Sequence, residues 1–319
     1  MPTPGTLLYT AFEQQARALW PLRQWARAAA PVLSNGHLGG HRPHRHLAAA
    51  LEVMRLAEIT HRRPDWGIAQ AAGCEVVEQV AAVTPFATLT HFVKAGAAAQ
   101  ARVLIVAPMS GHFATLLRDT VRTMLDDHDV YVTDWHSARD VPLREGPFGL
   151  DEYTEHLMQF MRVMGPGSHL VAICQPCVAA LAATALMSED DDPATPASLT
   201  LMAGPIDCRI SPTAVNQLAT SKSIEWFERN LISTVPLPLR GAGRRVYPGF
   251  VQVGAFMGMN RQRHLDAFHT YYQGLVDDDR DTTEPIRRSA LAFHRDERDD
   301  ICAPGQTLAA QDLCTRVRM

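Results

Sequence analysis

The chain has 319 residues, 46% of them hydrophobic, and 30 Lys plus Arg against 34 Asp plus Glu give a formal net charge of −4. That much apolar material builds one large α/β domain or two smaller ones and excludes a disordered chain. The weakly acidic balance argues against nucleic acid or an anionic membrane as the main partner.

Six cysteines, at 74, 174, 177, 208, 302 and 314, are scattered rather than clustered as in a small disulfide-framed secreted domain, which fits reduced thiols in the cytoplasm. The first residues lack a charged stretch followed by an apolar core and a cleavage site, so no signal peptide is expected, and no run is long and apolar enough to span a bilayer.

From Thr6 to Ala30, Leu8, Phe12, Leu19 and Leu22, with Trp20 and Trp25 beside them, recur at near-helical spacing and predict an amphipathic leader interrupted at Pro21. Asn35 to His46 reads as a loop. His37, His41, His44 and His46 fall there without Cys, Asp or Glu at any common zinc spacing, so they read as a solvated linker and no metal is expected. A second helix carries Leu47, Leu51 and Met54, and Glu75–Lys94 predicts two strands split at Thr84-Pro85.

Four apolar runs then follow, at 102–107, 129–133, 168–173 and 198–203, each ended by a break or a helical stretch. Strands alternating with helices predict a doubly wound, mostly parallel sheet. Asp207 to about Asp281 differs, with Trp226, Phe227, Phe250, Phe256, Met257, Met259, Phe268, Tyr271 and Tyr272 among Pro and Gly breaks, and reads as an inserted helical cap. Ser289–His294 is strand-like again and ends near Glu297, Asp299 and Asp300.

The stretch that concentrates chemistry is Ser168–Leu186, where a short apolar run turns abruptly into an alanine-rich helix with Cys174 at the junction. Ala172-Ile173-Cys174-Gln175-Pro176 fills the frame G-x-S-x-G with cysteine at the nucleophile position. A side chain on such a turn stands above the sheet edge, and the helix N-terminus behind it favours a thiolate. Two other readings compete: a buried cysteine packing as a small hydrophobe, and a thiol-disulfide pair, because Cys174 and Cys177 also form C-x-x-C at a helix start.

Ala107-Pro-Met-Ser-Gly-His-Phe-Ala-Thr-Leu-Leu-Arg-Asp-Thr, Val132-Thr-Asp-Trp-His-Ser-Ala-Arg-Asp-Val-Pro, Ala172-Ile-Cys-Gln-Pro, Leu201-Met-Ala-Gly-Pro-Ile-Asp207 and Glu297-Arg-Asp-Asp-Ile with Gly305-Gln-Thr-Leu-Ala-Ala-Gln-Asp run in order along most of the chain. Together they resemble the intracellular polyhydroxyalkanoate (polyhydroxybutyrate) depolymerases, cysteine-nucleophile relatives of the α/β-hydrolases. The resemblance implies an α/β-hydrolase domain over 71–319, with a cap at about 208–285, behind a helical extension over 1–70.

It also implies Cys174 as nucleophile and Asp299 as the acid, with Asp300 as the alternative. The oxyanion donors would be the N–H of Gln175 and one after Pro108, at Met109 or Ser110. Expected partners are polyester polymer or oligomer and granule-associated proteins, in the cytoplasm at polyester granules, with no cofactor. In that family a Gly-His pair downstream of the acid supplies the histidine, whereas here no histidine follows His294 and the C-terminal part reads as incomplete. Three expectations therefore stand together: a working thioester-forming hydrolase with His112 as a possible base, an impaired member that binds polyester or a partner, and the C-x-x-C oxidoreductase.

Overall fold

In the computed structural model, which describes residues 3–35, 42–56, 61–210, 212–287 and 298–301, the central layer is a seven-stranded mixed sheet. The chain enters through α1 (Pro4–Asn35) and α2 (Arg42–Leu56), then forms β1 (Gln70–Ala71), β2 (Cys74–Val83), β3 (Ala87–Lys94) and β4 (Arg102–Val106). Next come α3 (Arg118–Met124), β5 (Asp129–Trp135), α4 (Leu150–Met164), β6 (His169–Ile173), α5 (Cys177–Glu189) and β7 (Ser198–Met202). The spatial order is β1-β2-β3-β5-β4-β6-β7.

Strands β5, β4, β6 and β7 are mutually parallel, as the four apolar runs predict, while β2 and β3 are antiparallel to their neighbours. Four of the five residues of β4 are buried because helices cover both faces, which is why the run Val103–Val106 is continuously apolar rather than alternating. The core is aromatic at both ends of the sheet, with Trp66 edge-on to Phe92 at 5.1 Å near the start of β5 and Trp135 edge-on to Tyr153 at 4.6 Å at its end.

Two local expectations are corrected. Pro21 does not interrupt the leader: α1 runs unbroken for 32 residues. The proline removes the bond to the carbonyl of Arg17 alone, and that residue is exposed, so water can take the place of the missing N–H. The loop expected to reach His46 ends earlier, since α2 starts at Arg42 and carries His44 and His46; Nδ1 of His46 lies 2.9 Å from the Tyr272 hydroxyl. His37 and His41 lie outside the described residues, and among the described residues no group of His, Cys, Asp and Glu is arranged to hold a metal.

After β7 come α6 (Ala214–Ser221), α7 (Ile224–Asn230), β8 (Ser233–Thr234), β9 (Arg245–Tyr247), α8 (Gly249–Met259), α9 (Arg261–Asp277), α10 (Arg280–Ile286) and β10 (Asp300–Ile301). β10 pairs with β9 in a separate three-stranded sheet of order β10-β9-β8, so Asp299 and Asp300 reach the site from a small sheet rather than from the main one. The strand-like run Ser289–His294 lies outside the described residues.

α1 is bolted to this second layer. Gly5 of α1 carries its carbonyl to Ser233 Oγ at 2.9 Å, and a Cβ there would stand 2.5 Å from the carbonyl oxygen of Ile232, so only glycine permits the approach. Phe12 stacks on Phe250 at 4.1 Å, and the far half of α1 packs Ala26 against Leu51 of α2.

Candidate active site

Cys174 follows β6 directly and has φ +69, a left-handed conformation that a non-glycine residue holds only under constraint. The constraint is visible: its N–H donates to the Met202 carbonyl at 2.7 Å, and its carbonyl accepts from Cys177 N–H at 3.2 Å. The end of β7 presses against this turn at Gly204, where a Cβ would run into the Cys177 side chain and stand 3.0 Å from the Cys174 carbonyl oxygen. A strained, half-buried cysteine at the carboxyl end of β6, an interior parallel strand one in from the sheet edge, with the 13-residue α5 opening behind it, is the geometry of a nucleophile elbow.

Cys177 differs. It is fully buried, its Sγ points at the carbonyls of Ala172 (3.3 Å) and Met202 (3.6 Å), and burial pushes its thiol up. A thiol directed beneath the turn is a poor disulfide partner, and the pair sits after the sixth strand of a seven-stranded sheet rather than in the first βα unit of a small one. Both observations weigh against the oxidoreductase reading.

The facing wall is the loop after β4. Side chains of β5 fix its root: the Ala107 N–H donates to Thr133 Oγ1 at 2.9 Å, and the Ala107 carbonyl accepts from Trp135 Nε1 at 2.9 Å. From there Met109 N–H reaches the Gln175 side chain, donating to Oε1 at 3.0 Å. Met109 and Gln175, two of the expected oxyanion residues, are thus brought together, while Ser110 is buried beside them. Gly111 has φ +83, and a Cβ on it would meet Gln252 Cβ and the Gly249 carbonyl, each at 3.1 Å. His112, next along, is buried.

Asp299 and Asp300 are both buried and tie three segments together. Asp299 accepts the Tyr9 hydroxyl at Oδ2 (2.5 Å) and Gly249 N–H at Oδ1 (3.0 Å), and its own N–H donates to Ser137 Oγ at 3.3 Å. Asp300 accepts Gly111 N–H (2.9 Å) and Gln252 Nε2 (2.7 Å) at Oδ2 and pairs through Oδ1 with Arg298 at 2.5 Å. Burial pushes both carboxyls above the usual range, opposed chiefly by Arg139 for Asp299 and by Arg298 for Asp300.

Tyr153 of α4 lies among these groups. Its hydroxyl is buried with no hydrogen-bond partner among the described residues, and burial holds it well above its ordinary value, opposed by Arg298 and reinforced by Asp300, Cys177 and Cys174. Tyr9 and Tyr153 carry no motif in the sequence, and Arg298 stands inside Glu297-Arg-Asp-Asp-Ile with no role of its own expected there. Gly204 stood inside a quoted stretch, although nothing in one chain marked its packing role. A cavity of about 650 Å³ is lined by His61, Arg63, Phe113, Trp135, Ser137 and Arg240 among others; it opens beside Ser137 and Cys174 does not line it.

The strand order, the antiparallel strands at one edge and the elbow after β6 define an α/β-hydrolase. Within it, residues 203–289 match the family model described as PHB de-polymerase C-terminus. No curated protein sequence matches the chain. Similar solved structures include a lipase from Acinetobacter baumannii (14% identity, 70% of this chain and 69% of that one, TM-score 0.34). A membrane phospholipase A described as a bacterial virulence factor has 16% identity, 77% and 75% coverage and a TM-score of 0.36. The thioesterase domain of the curacin biosynthetic pathway has 11% identity, 75% and 73% coverage and a TM-score of 0.35. Likeness of that degree assigns no substrate to this chain.

Proposed function

We propose that this chain is a carboxylic ester hydrolase of the polyhydroxybutyrate-depolymerase kind, cleaving 3-hydroxyalkanoate polyester or its oligomers through an acyl-Cys174 intermediate, in the cytoplasm at polyester granules. The observation that carries the reading is Cys174 at φ +69 behind β6, with the N–H of Met109 held against the Gln175 side chain beside it. The match of residues 203–289 to the depolymerase C-terminal model supports the substrate class.

In this reading the Cys174 thiolate attacks the ester carbonyl carbon, and the carbonyl oxygen becomes an oxyanion held by the N–H groups of Gln175 and Met109. The C–O bond then breaks, the alkoxide leaves with a proton from water, and the acyl group stays on sulfur. Water, losing a proton to the hydroxide left by the first step, adds to the thioester, the C–S bond breaks, and a 3-hydroxy acid departs as the thiolate returns; a carrier thiol could replace that water.

Asp299 is the acid of this reading, yet both its oxygens already hold Tyr9 and Gly249, so an imidazole using Asp299 must displace the tyrosine. That occupation favours a second reading, an impaired member that acylates once or only binds polymer. Incubation of the chain with an activated 3-hydroxybutyrate ester, followed by intact mass and peptide mapping, decides between them. Multiple turnover lost in Cys174→Ser supports the hydrolase, a single trapped adduct on Cys174 supports the impaired member, and an adduct spread over Cys174 and Cys177 refutes the nucleophile assignment.

A further inference from the structure

The outer face of α1 bears a mostly apolar stripe that stays open among the described residues except at Ala29, which packs toward α2. Leu7 is 56% exposed, Leu22 48%, Trp25 56% and Val32 65%, and Ala11 and Ala18 between them are exposed too. At about 100° per residue these six positions, together with the exposed but uncharged Gln14 and the half-buried Ala29, fall within an arc of about 80°. The helix's charged residues, Glu13, Arg17, Arg23 and Arg27, all lie about 100° or more from the centre of that arc. The opposite face is fixed to the catalytic body by Tyr9 on Asp299 at 2.5 Å and Glu13 on Arg139 at 3.0 Å. The stripe therefore has a set orientation relative to the site.

Geometry limits what can cover it. From Leu7 to Val32 the stripe is about 37 Å long and about 10 Å wide, roughly 400 Å². A stable dimer needs about 800 Å² from each partner, so a second copy is too large an occupant for this stripe alone. An extended, uncharged, water-insoluble surface has no such lower bound, matches a stripe without charge, and offers ester carbonyls to the indole N–H of Trp25. Resting on the hydrolase reading above, we infer that the Leu7–Val32 stripe of α1 docks the enzyme on the surface of its solid polyester.

Co-sedimentation of the full chain with amorphous poly(3-hydroxybutyrate) particles tests this, using Leu22→Ser with Trp25→Ser, exposed positions whose change leaves the fold intact. The double variant should lose at least tenfold in particle binding while its reactivity toward a soluble activated ester stays unchanged. Trp20→Ser is the control, because Trp20 is as exposed at 57% but lies off the stripe; it should bind normally. Undiminished binding by the double variant overturns the inference, as does equal loss in Trp20→Ser. Stronger binding to phosphatidylcholine–phosphatidylglycerol vesicles than to particles assigns the stripe to lipid instead. A dimer that dissociates in the double variant assigns it to a second copy. Stripe-dependent binding without any adduct on Cys174 would keep this inference and remove the hydrolase reading; an adduct with stripe-independent binding would do the reverse.

Discussion

The Tyr9 hydroxyl donates to Asp299 Oδ2 at 2.5 Å across 290 positions of sequence, joining the first helix of the chain to an acid in its last described segment. Tyr9 is 1% exposed and Asp299 fully buried, so neither group has water as a substitute partner. Tyr9→Phe keeps the ring and removes the donor. A hydrogen bond to a buried charged group contributes about 1.5–3 kcal/mol, and Tyr9→Phe should cost that much in urea unfolding. In a double-mutant cycle with Asp299→Asn most of that cost should be absent, since the Asn carries no charge to strand. If Tyr9→Phe is neutral, the bond does not anchor α1.

The two buried carboxyls set a pH dependence whose sign is fixed. Both are held above the ordinary carboxylate value by burial, so between about pH 4 and their folded values the native state binds more protons than the unfolded state. Stability from these groups is fully present below the unfolded value and declines as pH rises through the folded one. Asp300→Asn, which keeps size and removes the titration, should flatten the unfolding free energy against pH above about 4. A variant profile parallel to that of the parent chain over this range would show that Asp300 does not titrate there.

The sheet was legible because its parallel strands are buried on both faces and read as uninterrupted apolar runs; Val103–Val106 needed no context to be recognised. The elbow was legible for the opposite reason, an abrupt change from strand to alanine-rich helix at Cys174. What could not be read were long-range pairs: Tyr9 with Asp299, Gly111 with Asp300, Gly249 with Asp299. No local pattern encodes such contacts, because each depends on where a separate element comes to rest. Pro21 misled for a related reason, since packing of the inner face of α1 outweighs the single backbone bond the proline removes.

Gly204 links the end of β7 to the elbow and should be intolerant of any side chain. A Cβ there overlaps Cys177 and stands 3.0 Å from the Cys174 carbonyl oxygen, and both are held by backbone bonds rather than flexible ends. Overpacking of this kind costs about 1–3 kcal/mol when the chain can shift, and here the shift would fall on the strained turn itself. Gly204→Ala should therefore lower the thermal midpoint and slow alkylation of Cys174 together. Ala203→Ser, one residue earlier, is a control for the segment and should leave alkylation of Cys174 as it is.

Gln175 carries opposite roles in its backbone and its side chain. Its N–H is one proposed oxyanion donor, while its Oε1 accepts the N–H of Met109, the other proposed donor, at 3.0 Å. In the resting enzyme the amide oxygen thus stands where an ester carbonyl oxygen would have to bind, and a substrate must break that bond before the second donor is free. A neutral hydrogen bond of this type is worth about 0.5–1.5 kcal/mol, a factor of about 2–10 in an equilibrium. Gln175→Ala retains the backbone N–H and removes the competing oxygen, so acylation of Cys174 by a small activated ester should accelerate by about that factor. The variant is exposed at this position and should unfold at the same denaturant concentration as the parent. Acylation slowed by Gln175→Ala would instead show that the side chain assists the reaction, and that the contact with Met109 orders the oxyanion loop rather than blocking it.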